Sequence, residues 1–327
     1  MSKGFSVGVW AFGMGSDRYV SDGYKPYLKL EERVAKIGTL PGVTGVEVTF
    51  PNDVNLENVE KFKAILAANN LRLAAMGVEL VCDKEWAGGS FTSPDPQRRR
   101  KSIELTCAAM DCAAALDIPT VNLWLGQDGF DYVFQMDYAQ SWAWLVEGLR
   151  ECAAYRPDIR LGVEYKVSEP KLNCLVNSGG KALALAYATG MPNVGVCLDI
   201  GHAFNARENP AEIACTLLHE KRLFHLHFND NYGLADDDMP VGTVHWPQFI
   251  ELMYWLETMD YDGWYSLDVY PYRDDSTEAC DASLKFLRSM QKLVTRPGFA
   301  DALPALRNQP PSRILKWLLR ETFGEVE

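Results

Sequence analysis

Strand-like and helix-like segments alternate eight times along this chain, and that alternation restricts the fold more than any other feature. Apolar β-prone runs fall at residues 5–12, 45–50, 71–78, 120–125, 160–165, 193–198, 222–228 and 263–269. Helical patterning is expected after each of them, at 24–38, 56–68, 96–116, 138–154, 180–188, 210–220, 247–259 and 277–294. In the first helix Tyr27, Leu30, Val34 and Ile37 form one stripe. Asn55 and Asp95 stand as caps ahead of the second and third, Asp95 directly before Pro96. Eight βα units in succession imply a parallel sheet, and eight is the number that closes a (β/α)8 barrel, the TIM barrel. The 327 residues suit one barrel, which needs about 250 plus insertions.

The barrel is expected over residues 1–295 and a helical tail over 296–327. Prolines at 297, 304, 310 and 311 open the tail, and an amphipathic helix at 312–323 carries Ile314, Leu315, Leu318 and Leu319. That helix either packs on its own barrel or reaches over a neighbouring subunit, so a homodimer or homotetramer is expected. A net charge of −12 provides no basic face for nucleic acid. No apolar stretch approaches the roughly 20 residues that cross a bilayer, so no membrane partner is expected. Met1-Ser2-Lys3-Gly4 leads straight into a strand without signal-peptide patterning. The eight cysteines form no CxxC pair and lie mostly in apolar runs, which reads as buried thiols in a reducing cytoplasm.

Charge interrupts four successive apolar runs near their ends. Glu164 sits in Leu161-Gly162-Val163-Glu164-Tyr165-Lys166, Asp199 closes Val194-Gly195-Val196-Cys197-Leu198-Asp199, His227 lies in Leu223-Phe224-His225-Leu226-His227-Phe228, and Asp268 in Trp264-Tyr265-Ser266-Leu267-Asp268-Val269. A buried charge is costly unless it is paired or binds a metal. Any one of the four is explained by an ion pair. One per consecutive strand, at the barrel end where active sites form, points to a divalent-cation site. Three carboxylates and an imidazole suit Mn, with Co or Mg as alternatives, better than thiolate-bound zinc.

Two further groups suggest a second cation. His202 follows Asp199 by three residues, within reach if a helix starts at Gly201. In Asp236-Asp237-Asp238 the outer two would clamp a metal while Asp237 points away, and Asp199 would bridge the two ions. Taken alone, the triplet reads as a solvated loop. Lys166 shares the strand face of Glu164, and beside cations it needs a negative or developing oxyanion group, unless it is a rim salt bridge. Trp10 and Trp124, placed on strands one and four, are either core or an aromatic wall for a sugar. Phe12, Phe50, Val81, Trp86 and Phe91 are expected to shape the pocket.

In this order the motifs resemble the xylose isomerase and L-rhamnose isomerase superfamily, from about Val7 to Met290. The matching pieces are Gly8-Val9-Trp10 with Ser16-Asp17-Arg18; Gly89-Ser90-Phe91-Thr92-Ser93; Asn122-Leu123-Trp124-Leu125-Gly126; Glu164-Tyr165-Lys166 with Glu169-Pro170; Leu198-Asp199-Ile200-Gly201-His202; Phe224-His225-Leu226-His227-Phe228-Asn229-Asp230; and the acidic triplet. The resemblance implies one cation on Glu164, Asp199, His227 and Asp268 that binds two sugar hydroxyls. It implies a second, on His202, Asp236 and Asp238, that activates a water to take the O2 proton. Lys166 would hydrogen-bond O1 while hydride passes between C1 and C2. One position departs from the pattern: where xylose isomerases carry a ring-opening histidine after strand two, this chain has Pro51, with Asp53 the nearest replacement.

The expected function is therefore a two-metal aldose–ketose isomerase acting on a small unphosphorylated sugar. Its catalytic set is Lys166, His202, Asp236 and Asp238, with Trp10, Trp124, Lys166, Asp53 and Phe91 at the substrate. The rival is a single-metal ketose 3-epimerase, or a related keto-sugar lyase of the C-glycoside-cleaving type, using Glu164 and Asp268 as acid and base. An endonuclease on the same barrel would want a basic surface and more than five histidines. A sugar-binding scaffold would need neither Lys166 nor a second ion set.

Overall fold

The computed structural model describes residues 4–169 and 172–324. The chain's first three residues, Pro170 of the Glu169-Pro170 motif and the end of the tail lie outside the described residues. Eight parallel strands, β1 (Gly4–Gly8), β2 (Val43–Phe50), β3 (Arg72–Val78), β4 (Thr120–Trp124), β5 (Arg160–Glu164), β6 (Val194–Asp199), β7 (Leu223–Phe228) and β8 (Trp264–Leu267), close in the order 1-8-7-6-5-4-3-2. Helices α1 (Leu30–Gly38), α2 (Val59–Ala68), α3 (Pro96–Ala115), α4 (Tyr138–Tyr155), α5 (Gly179–Thr189), α6 (Ile200–Asn205), α7 (Pro210–His219), α8 (Trp246–Thr258) and α9 (Ser276–Val294) fill the crossovers and follow the last strand. Strands covered on both faces need apolar side chains on both. Val46, Val48, Val121, Leu123, Leu161, Val163 and Leu226 are accordingly fully buried.

Element ends depart from the pattern for local reasons. β1 stops at Gly8 and the chain coils into a 3-10 turn, Val9–Phe12, so Trp10 leaves strand one. Gly8 permits this, because a Cβ there would lie 2.1 Å from the Trp10 ring. α1 begins at Leu30 rather than 24, since the residue before Pro26 is steered away from helix. Tyr27 is thus 68% exposed and off the stripe. Asn55 caps a turn, accepting from the Glu57 and Asn58 amides, and α2 starts only after it. Asp95 caps α3 as expected, accepting from the Gln97 amide at 2.9 Å.

A small antiparallel sheet of Gly129–Phe130, Leu172–Cys174 and Ser168–Glu169 ties the loop after β4 to the loop after β5. Strands of two or three residues carry no periodicity to read. The tail forms α10 (Phe299–Leu306) and α11 (Pro311–Phe323). α11 folds back on its own barrel: Trp317 is buried 4.9 Å from the Phe299 ring, and Phe323 meets Trp246 of α8 at 5.4 Å. Leu315 points outward instead of joining that face. No described helix is long and apolar enough to cross a membrane.

Candidate metal centre and active-site cavity

Glu164 and Asp199 are the last residues of β5 and β6, His227 is next to last on β7, and Asp268 directly follows β8. Closing the barrel brings these ends together. One donor atom from each lies within 4.8 Å of all the others. His227 Nδ1 stands 3.2 Å from Glu164 Oε2, 3.3 Å from Asp268 Oδ2 and 4.0 Å from Asp199 Oδ2. Among the described residues this buried nitrogen has no hydrogen-bond partner.

The other ring nitrogen is engaged. His227 Nε2 lies 3.1 Å from Glu47 Oε2, and His225 Nε2 lies 2.8 Å from Glu47 Oε1. Glu47, on β2, is 1% exposed. Burial disfavours its charge, but the two imidazoles outweigh burial and hold its pKa below the usual carboxylate range. A carboxylate accepts, so Glu47 holds a hydrogen on His227 Nε2. That is how a metal-bound histidine is oriented. Burial opposes a charge on the ring, but the neighbouring acidic groups outweigh it and raise its pKa, and a cation would take the place of the proton on Nδ1. A buried imidazole nitrogen without a hydrogen-bond partner among three carboxylates fits a divalent cation with oxygen and nitrogen donors.

The remaining carboxylates are also held. Trp10 Nε1 donates to Asp268 Oδ1 at 2.5 Å, and its ring meets His227 edge-on at 6.3 Å. Asn229 Nδ2 donates to Asp199 Oδ2 at 2.8 Å. Burial lifts Asp199 to about 6 and Asp268 to about 7, and like-charged neighbours add to the lift. Such crowding of acidic groups is what a bound cation relieves.

Asp199 caps α6 by accepting from the His202 amide at 2.8 Å, and one short turn carries the His202 ring into the cavity. Gly201 is required there, since a Cβ would meet Asn229 Oδ1 at 1.9 Å. His202 Nε2 lies 3.2 Å from Asp236 Oδ2, and its Nδ1 lies 3.4 Å from Glu164 Oε1. Asp236 Oδ2 is also 2.7 Å from Lys166 Nζ, which stands 4.9 Å from the Trp124 ring centroid. Burial disfavours the Lys166 charge, yet Asp236, Asp238 and Asp199 outweigh it and raise the pKa. Asp238 lines the same cavity, while Asp237 is exposed and accepts from the Tyr232 amide. The second set is looser than the first. Among the described residues, no group of three metal-type donors within 4.8 Å includes His202, Asp236 or Asp238.

These residues line a cavity of about 570 Å3, the size of a small-molecule site. Trp10, Trp124 and Val81 face it, and exposed Cys82 lies at its edge. Asp53 also faces it, but Oδ1 is paired with Arg33 at 2.7 Å and Oδ2 accepts from the Thr49 amide at 2.9 Å. The side chain expected to replace the ring-opening histidine is thus committed to the wall. Phe91 is not at the cavity: it is 1% exposed and packs against Gly148 of α4. Phe12, Phe50 and Trp86 are likewise core. The segment around Phe91 is structural, because buried Asp128 accepts from the amide and hydroxyl of Thr92, each at 2.6 Å.

The sequence pattern of the family described as "xylose isomerase-like TIM barrel" matches residues 33–290. The chain belongs to that family. The xylose isomerase of Thermus thermophilus is 26% identical over 290 residues, covering 84% of this chain and 74% of that protein. A D-allulose 3-epimerase from Methylomonas sp., solved with D-allulose, superposes with a TM-score of 0.68 at 18% identity, covering 88% of this chain and 97% of its own. An L-ribulose 3-epimerase superposes with a TM-score of 0.66 at 16% identity, covering 95% and 100%. At such identities the likeness of this xylose isomerase-like barrel to the two epimerases establishes the shared fold.

Glu47 escaped the sequence reading although it carries the same signal as the four strand-end residues, a charge inside an apolar run. Glu47→Gln keeps the shape but no longer demands a proton on His227 Nε2. Manganese affinity is expected to fall roughly 10–100-fold, the usual cost of losing such a partner. Calorimetric titration of the metal measures it, and an unchanged affinity would mean that Glu47 serves packing only.

Proposed function

We propose that this chain is a divalent-metal-dependent sugar enzyme, an aldose–ketose isomerase that moves hydrogen between C1 and C2 of a small unphosphorylated sugar. The observation that carries the reading is Lys166: a buried ammonium beside the acidic cage, 2.7 Å from Asp236 and above the Trp124 ring. A binding scaffold has no use for it. Isomerisation does, because negative charge grows on O1 as hydride arrives at C1. Polarisation of the sugar oxygens and activation of a water are the chemistry that cations held by Glu164, Asp199, His227 and Asp268, and by His202, Asp236 and Asp238, would supply.

The chain's own groups do the rest. The C2 hydrogen leaves with its electron pair for C1, O2 loses its proton and becomes the ketone oxygen, and O1 gains a proton. Lys166 Nζ donates to O1. Burial disfavours the Asp236 charge, but His202 and Lys166 outweigh it and hold the group ionised. Its buried Oδ1, without a partner among the described residues, would orient the water that takes the proton from O2. Trp10 and Trp124 keep water from the migrating hydrogen. The kinship with a xylose isomerase supports this assignment.

A second reading, ketose 3-epimerisation with Glu164 and Asp268 as acid and base, is favoured by one observation: the barrel superposes on ketose 3-epimerases over 88% or more of its length. Labelling separates the two. Aldoses deuterated at C2, offered with Mn, Co and Mg in turn, are expected to give ketoses that keep the label on C1. Failure to convert any aldose, together with solvent exchange at C3 of a ketose, would establish the epimerase instead.

A further inference from the structure

Asn122 lies on β4, two residues before Trp124 and on the same inward face. It is 3% exposed and lines the cavity. Among the described residues neither its Oδ1 nor its Nδ2 has a hydrogen-bond partner, and neither does the buried Nε1 of Trp124. One orphaned polar atom in a barrel is tolerable, but a whole amide, with an indole N–H two residues along the same strand lining the same cavity, costs too much to leave unused. The backbone is shaped around it. In register, Asn122 is flanked by Gly77 of β3 and Gly162 of β5. A Cβ on Gly162 would come 2.7 Å from Asn122 Oδ1, whereas one on Gly77 would meet nothing closer than 3.9 Å. Gly126 gives the Trp124 ring its place in the same way, with a Cβ contact of 2.9 Å.

We infer that Asn122, with Trp124 Nε1, is a hydroxyl-reading subsite for a neutral polyhydroxy chain. This deepens the sugar-enzyme reading above and rests on it. An amide offers both a donor and an acceptor, the pairing a secondary alcohol needs, whereas phosphate and carboxylate offer acceptors only. Register puts Trp124 level with Glu164 and Asn122 level with Gly162, one inward-facing position deeper in the barrel. The subsite therefore reads a hydroxyl on the part of the sugar that reaches below the acidic cage. A chain lacking a hydroxyl there leaves the amide unpaired and is rejected.

Titration of the manganese-loaded full chain with xylitol, ribitol, sorbitol and galactitol, which bind but do not react, tests this. Wild type is expected to prefer one of them. Asn122→Leu, similar in volume, is expected to weaken that polyol roughly 10–100-fold while manganese affinity is unchanged and Tm is equal or higher, since an unpaired buried amide contributes nothing to the fold. Asn122→Ala serves as a second variant if leucine perturbs folding. Polyol affinity within twofold of wild type in the variants would overturn the subsite, and so would a lowered Tm with unchanged binding, or no polyol binding to wild type. Asn122-dependent polyol binding without aldose conversion would sink the isomerase reading and leave the subsite standing. Conversion with Asn122-independent binding would do the reverse.

Discussion

His227→Ala is expected to abolish high-affinity manganese binding and to lower kcat/KM by about 10³–10⁴, the several kcal/mol that Lewis-acid stabilisation provides. His227 is the one nitrogen donor of the cage, and its Nδ1 stands within 4.0 Å of all three carboxylates. Without it, three acidic groups face one another around a hole that their own repulsion keeps open. The effect is also readable without substrate. A ligand that binds only the folded chain stabilises it by about 2.7 kcal/mol at a hundred times its Kd. Manganese is therefore expected to raise the wild-type Tm by several degrees and to leave that of His227→Ala unchanged. Because truncating a buried ring lowers stability by itself, His227→Gln provides the volume-matched control. A variant that keeps both the Tm response and the activity would remove His227 from the centre.

Lys166→Met is expected to lower kcat by about 10²–10³, the cost of losing one donor to a developing oxyanion. Cation binding at the first cage should persist, because Lys166 pairs with Asp236 and is not one of the four donors gathered there. Lys166→Arg should rescue little: the guanidinium is a wide planar fork where the site holds a compact ammonium between Asp236 and the Trp124 ring. Normal manganese-induced Tm shift with a collapsed kcat is the signature of a group that acts on the sugar. A fall in metal affinity matching the fall in rate would instead make Lys166 a structural counter-charge.

The barrel and the acidic cage were legible in the chain for the same reason. Strands buried on both faces are continuous apolar runs, so alternation with helices stands out, and a charge inside such a run must have a use. Glu164, Asp199, His227 and Asp268 met that rule at the ends of neighbouring strands, and barrel closure brought them together. Glu47 and His225 obey the rule too, but their contact spans 178 positions across the barrel and no spacing encodes it. Asp53 illustrates the opposite failure. Its residue type suits proton transfer, yet Arg33 from α1 pairs with it, a partner only tertiary structure supplies. Aromatic residues are ambiguous in the same way: Trp10 and Trp124 face the cavity while Phe91 fills core. The second ion set was readable as residue types but not as geometry, since loop conformation decides where Asp236 and Asp238 point.

Anomalous diffraction from crystals soaked in manganese tests the centre most directly. The geometry predicts a strong peak about 2–2.4 Å from His227 Nδ1 and from carboxylate oxygens of Glu164, Asp199 and Asp268. A featureless map at that point under saturating manganese, with the His227 ring turned to hydrogen-bond a carboxylate through Nδ1, would contradict it.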